Sequence, residues 1–241
     1  MPQIWKSDKA LWQTRRMVKD RAYAGVPAEQ RRAQRRTTFL EAAREIVGTQ
    51  GSARLTVGGL CRQAGLTERY FYENFTNLDA VVGEVYDQAI GELTDLIAGR
   101  VRAAPNPLRD KVHAAIAAGL QAVADDPRLI RIAFTEAQLN PLLNERRTAT
   151  IRSFAALVLA TVNKRLSPES TATAGAYGEL AAMHLVGGLY ETVYGWLNGT
   201  LDLTRDELVD ESTEIFLVVV EQILGPESHQ RRQRVPKRRT S

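Results

Sequence analysis

Apolar residues recur along most of the chain at intervals of three and four, the spacing that gathers them on one face of a helix. Nowhere do they alternate convincingly with polar residues, as a half-buried strand requires. Phe39, Ala42, Ala43, Ile46 and Val47 set the first such face, on a helix that starts near Pro27 and stops at Gly51. Thr56 and Thr67 each stand at a capping position, before short helices reaching Ala64 and about Phe75. Asn77 opens a long helix to about Val101, which Pro105 and Pro107 break. A helix from about Pro107 to Ala124 follows, and Asp126-Pro127 pairs a cap with a first-turn proline. Pro141 marks the next junction, with a helix on to about Arg165; Ser167-Pro168 begins another that Asn198-Gly199 ends. Thr204 and Glu207 form a capping box for the last helix, which stops at Gly225-Pro226. The pattern is all-α: about nine helices, no sheet, no internal repeat.

Composition narrows the class. With 241 residues, 44% of them hydrophobic and 25% charged, the chain can bury a core and is neither disordered throughout nor fibrous. No uncharged apolar stretch reaches the roughly 18 residues a membrane helix needs; 153–163 and 180–190, for example, are 11 residues each. The N-terminus lacks the apolar segment of a signal peptide, and one cysteine makes no internal disulfide, so the expected compartment is the cytoplasm.

Charge divides the chain more sharply than its net +4 suggests. Residues 1–36 hold ten Lys/Arg against three acids, and residues 226–241 hold six against one. The body at 83–225 has 12 basic and 19 acidic groups. Basic ends on an acidic body point to a polyanion met at the ends, or to solvated tails. The expected organisation is an arm at 1–28, a helix-turn-helix domain at 29–82, a larger helical domain at 83–225 and a basic tail at 226–241.

The informative run is Thr56 to Phe75, TVGGLCRQAGLTERYFYENF. Two short helices separated by Gly65-Leu66-Thr67 have helix-turn-helix spacing, and Gly65 permits the positive φ of the tight turn. Leu60, Leu66, Phe71 and Phe75 form a buried seam, with Cys61 as a small buried residue where the helices cross. Glu68, Arg69, Tyr70, Tyr72, Glu73 and Asn74 are left for the exposed face. Two tyrosines and an arginine together suit a surface that meets phosphates and base edges.

Ala64-Gly65-Leu66-Thr67, then Phe71-Tyr72-Glu73-Asn74-Phe75 and Asp79-Ala80-Val81, resemble the recognition helix and following helix of the tetracycline-repressor (TetR) family of bacterial transcription regulators. The motif resemblance covers residues 30–82. It implies that Thr56 and Thr67 cap their helices and touch phosphates, that Arg69 and Tyr70 face base edges in the major groove, and that Tyr72 and Asn74 hold the DNA backbone. Arginine is the natural bidentate reader of guanine. Asn74 stands where the family usually has histidine, and Leu78 where it usually has a phosphate-binding lysine. Arg31, Arg32, Arg35 and Arg36 are candidates to supply that charge.

Small and aromatic residues fill the last two long helices: Ala181, Ala182, Gly187, Gly188, Tyr190, Tyr194, Trp196, then Ile215, Phe216, Val218, Val219 and Ile223. Small residues allow close helix approach, which suits either a homodimer bundle or an intramolecular core. A two-fold pair would match a palindromic operator one helical turn apart. Phe134, Gln138, Leu142, Phe154, Tyr177 and His184 are candidate pocket residues, apolar walls with a few polar groups. Basic residues are sparse on the apolar faces, so the expected effector is lipophilic. His113, His184 and His229 have no metal-ligand spacing, and neither a cofactor nor an enzymatic nucleophile–base pair is indicated. The expected function is a DNA-binding regulator, a repressor released by a small lipophilic molecule. The alternative is a helical small-molecule-binding dimer without operator binding.

Overall fold

The computed structural model describes residues 27–164 and 168–224, with backbone alone at 168–176 and 223–224. The arm before residue 27, Ser167 and the basic tail lie outside the described residues. Nine helical rods run in sequence, and no strand occurs among the described residues. Helix α1 is Ala28–Gln50, α2 Val57–Ala64, α3 Glu68–Asn74, α4 Leu78–Ala103 and α5 Leu108–Asp125. Helix α6 begins at Pro127–Ile130, passes through a π-helical turn at Arg131–Glu136 and closes on Ala137–Leu139. Helices α7 Pro141–Asn163, α8 Pro168–Leu197 and α9 Arg205–Leu224 complete the chain. Among the described residues no helix is long and apolar enough to cross a membrane.

Most helix starts carry the chemistry expected of them. Thr56 Oγ1 accepts from Gly59 N at 3.0 Å, and Asn77 Oδ1 from Ala80 N at 2.8 Å. Asp126 caps α6 ahead of Pro127, and Asn140 caps α7 ahead of Pro141. At α9 the capping box closes: Glu207 accepts from Thr204 N at 2.8 Å, and Thr204 Oγ1 accepts from Glu207 N at 3.2 Å. Thr67 departs from expectation. Its side chain makes no capping bond, and only its carbonyl takes part, accepting from Tyr70 N and Phe71 N.

The larger apolar core begins under α1. Phe39 is fully buried and meets Phe71 and Phe75 edge-on, with ring centres 5.9 and 6.1 Å apart. The same core continues through Val81, Val85 and Tyr86 of α4 to Leu120, Ile132 and Leu143. The division expected at 82/83 therefore falls within α4 and within continuous packing. Helix α6 presses closely on α1 at Gly48, where an added Cβ would lie 2.5 Å from that of Arg128. A second, smaller cluster joins Val162, Ala181, Leu185, Phe216 and Val220.

Candidate nucleic-acid interface

Helices α2 and α3 meet at Gly65, which adopts φ 66°, the left-handed conformation that ends α2 and turns the chain. Leu60 and Phe71 are fully buried between them, and Cys61 lies in the same seam, its thiol pKa raised by burial and by the charge of Glu68. This anchoring leaves one face of α3 outward. Arg69 stands on it with 84% of its side chain exposed, and Tyr72 is 64% exposed, its ring edge-on to Phe71. Thr56 and Thr67 are exposed at the starts of the two helices.

Two residues expected to be exposed on that face are covered to different degrees. Asn74 is buried, and its amide donates to the Tyr70 carbonyl at 2.7 Å, one turn back along α3. It braces the helix instead of presenting itself outward. Tyr70 is half-buried because the Arg35 guanidinium lies 4.3 Å over its ring. Arg36 is also turned inward: it pairs with Glu84, donates to the Asn74 carbonyl and covers the Phe75 ring at 4.3 Å. Of the four arginines proposed to replace a lysine at Leu78, Arg35 and Arg36 are thus engaged within the fold. Arg31 and Arg32 are exposed on the first turns of α1. Leu78 itself packs against the core.

The six pocket candidates do not converge. Phe134 is buried and stacks on Tyr190, with ring centres 4.7 Å apart, as core filling. Gln138 and Tyr177 are exposed, Leu142 is half-buried, and exposed His184 bonds through Nδ1 to the Leu180 carbonyl at 3.0 Å. Phe154 lines a groove of about 330 Å³ between α4 and α7. Its other walls include Asp87, Ile90, Thr94, Arg146, Thr150 and Ser153. Sequence reading missed these because they come from two helices some sixty residues apart. Among the described residues, no three His, Cys, Asp or Glu side chains come together to hold a metal.

No protein-family model matches the sequence, and no curated protein is similar to it. Solved structures are similar in fold. One from Pseudomonas aeruginosa PAO1, described as a transcriptional regulator, superimposes with TM-score 0.61 at 21% identity, over 88% of this chain and 98% of its own. A TetR-like transcriptional regulator from Rhodococcus sp. RHA1 gives 0.56 at 15% identity, over 84% and 100%. The multidrug binding protein EbrR, complexed with imidazole, gives 0.60 at 19%, over 81% and 97%. The fold is that of the TetR regulators. Identities this low carry the TetR fold and not a function, which rests on the site.

Proposed function

We propose that this chain is a ligand-responsive, DNA-binding transcription regulator that acts as a homodimer and represses from a palindromic operator. The observation that carries this reading is the outward face of α3. Arg69 and Tyr72 project from a short helix whose other side is locked by Phe39, Phe71 and Phe75. A rigid, shallowly anchored helix bearing an exposed arginine is what major-groove reading requires. Arg69 would meet a base edge, Tyr72 a phosphate, and Thr56 and Thr67 phosphates at the helix starts. Tyr70 would contribute its free ring edge, and Asn74 would act from within by fixing the helix. Residues 29–82 form the DNA-binding domain in this reading and 83–225 the effector and dimer domain, with α4 running through both.

The dimer reading is supported by apolar stripes on the last two helices. Leu180, Met183, Gly187 and Gly188 line one side of α8, and Ile215 and Val218 line α9, where they are 61% and 57% exposed. An added Cβ at Gly187 or Gly188 meets nothing among the described residues, so their smallness serves no contact within that part of the protomer. The effector would enter the groove between α4 and α7, where Phe154, Ile90 and Leu157 offer apolar surface and Thr94, Thr150 and Ser153 offer hydroxyls. Its binding would shift the population toward a spacing of recognition helices that no longer matches successive grooves. The second reading, a small-molecule-binding dimer that leaves DNA alone, is favoured by the inward engagement of Arg35 and Arg36. A mobility-shift titration on the promoter beside the gene separates the two. The proposal expects a shift that Arg69→Ala weakens, and no shift at low salt would remove operator binding.

A further inference from the structure

Glu73 lies between two arginines on the outward side of α3. Its Oε1 accepts from Arg69 Nε at 3.1 Å, one helical turn back. Its Oε2 is 3.7 Å from Arg35 Nη2. Arg35 belongs to α1 and is held in place, since its guanidinium covers the Tyr70 ring and only 22% of its side chain is exposed. Arg69, by contrast, is the most outward of these groups, and among the described residues its two terminal amino groups have no partner. A guanidinium tied at Nε keeps its Nη1–Nη2 fork available, the edge whose spacing matches guanine O6 and N7.

We propose that Glu73 is a positioning residue: anchored by Arg35, it holds Arg69 by Nε and aims the Nη1–Nη2 fork at a guanine in the operator half-site. The inference rests on α3 being the recognition helix. A carboxylate on a DNA-facing helix repels phosphates and so lowers affinity for every sequence alike. What Glu73 returns is discrimination. An untethered arginine would spend part of its time on nearby phosphates, which carry no sequence information. Tethering removes those states and leaves the base contact. Neutralising Glu73 therefore moves general affinity and base preference in opposite directions, which a residue that merely supports the fold would not do.

The test uses the full chain and a randomised duplex library of about 30 base pairs, long enough for two half-sites one helical turn apart. Selection by wild type should enrich a half-site with one dominant guanine, and Arg69→Ala should abolish the preference at that position. Glu73→Gln should bind unselected library DNA several-fold more tightly while its preference for that guanine falls about tenfold. Glu73→Asp keeps the charge but is one methylene too short to reach Arg69, so preference should fall without the gain in general affinity. In the Arg69→Ala background, Glu73→Gln should leave base preference unchanged. If Arg69→Ala loses the guanine and Glu73→Gln keeps it at wild-type strength, the positioning role is wrong while the recognition helix stands. An even loss at all positions with a lowered melting temperature would assign Glu73 to the fold and overturn the proposal. If wild type enriches no sequence, the recognition-helix reading falls first and this inference with it.

Discussion

Glu136 Oε2 accepts two hydrogen bonds from Ser52, one from its backbone N–H at 2.9 Å and one from its hydroxyl at 2.6 Å. The pair joins the π turn of α6 to the connector between α1 and α2, and Arg131 reinforces it by donating to the Thr49 carbonyl at 3.1 Å. On the other side of that turn, the Tyr190 hydroxyl of α8 donates to the Ala133 carbonyl at 2.9 Å. The π turn is therefore held from two sides, at its ends by the end of α1 and the α1–α2 connector and at its middle by α8. π turns inside α-helices frequently occur at functional sites.

Removing the carboxylate should loosen this joint measurably. Glu136 is buried, so Glu136→Ala leaves two Ser52 donors and the Arg131 charge without their partner. A loss of about 2 kcal/mol is expected. Denaturant unfolding of both chains reads it directly, and an unchanged midpoint would show that water replaces the carboxylate at no cost.

Asp126, at the start of α6, should give the packing of α6 on α1 a pH dependence. Its carboxyl is held below the ordinary value of 3.8, chiefly by the hydrogen bond from the Arg128 side chain, helped by the Arg128 N–H and by the charges of Arg128 and Arg44. Arg128 continues to Glu45 at 2.9 Å and Arg44 to Glu92 at 2.6 Å, so α1, α4 and α6 share one ionic cluster. A depressed folded pKa means the stabilisation is complete above the unfolded value and fades as pH falls through the folded one. Asp126→Asn should cost about 1 kcal/mol at neutral pH, and the deficit should vanish in acid well below pH 3.8. Melting temperatures across that range check it, and a deficit independent of pH would assign the effect to packing.

Arginines of α1 that look alike in sequence should behave differently. Arg36 is tied to Glu84, to the Asn74 carbonyl and over Phe75, whereas Arg32 is exposed one turn earlier. Arg36→Ala should lower stability by about 1–2 kcal/mol through the lost clamp on the end of α3. Arg32→Ala should leave stability intact and reduce the slope of log affinity against log salt by about one, as expected for one lost phosphate contact. Equal salt slopes for wild type and Arg32→Ala would place that residue off the DNA.

The contrast between Arg32 and Arg36 marks the limit of what the sequence shows. Helix starts were legible because caps are local chemistry: Thr56, Asn77, Asp126-Pro127 and the Thr204–Glu207 box each involve residues a few positions apart. The Phe39–Phe71–Phe75 seam was legible in part, since Phe71 and Phe75 lie one turn apart. Arg35 on Tyr70 and Arg36 on Glu84 were not, because those partners lie 35 and 48 positions away. The π turn was hidden for a different reason. RIAFTE has ordinary helical composition, and its widened turn is fixed by Ser52 and Tyr190, both distant in sequence. Pocket residues chosen for their mix of apolar walls and a few polar groups scattered between core and surface for the same cause.

On α9 an outward face and a core face are separated by adjacent residues, Val218 and Val219. Sequence spacing placed Ile215, Val219 and Ile223 on one face; Ile223 lies outside the described side chains, and Val219 packs partly buried against the Val162–Leu185–Phe216 cluster of its own chain. The outward apolar positions are Ile215 and Val218. Val218→Asp should leave the protomer's stability within about 0.5 kcal/mol, because the side chain is solvated in the monomer. In a homodimer it would bury an unpaired carboxylate, which costs several kcal/mol, so the dimer should dissociate. Operator affinity should fall with it, since two half-sites would no longer be held together, while weak binding to any duplex through α3 persists. Val219→Asp should instead destabilise the protomer itself. Sedimentation and DNA titration on the two variants distinguish these outcomes. A Val218→Asp chain that remains dimeric would move the interface off this face of α9, and a monomer with full operator affinity would remove the dimer from the mechanism.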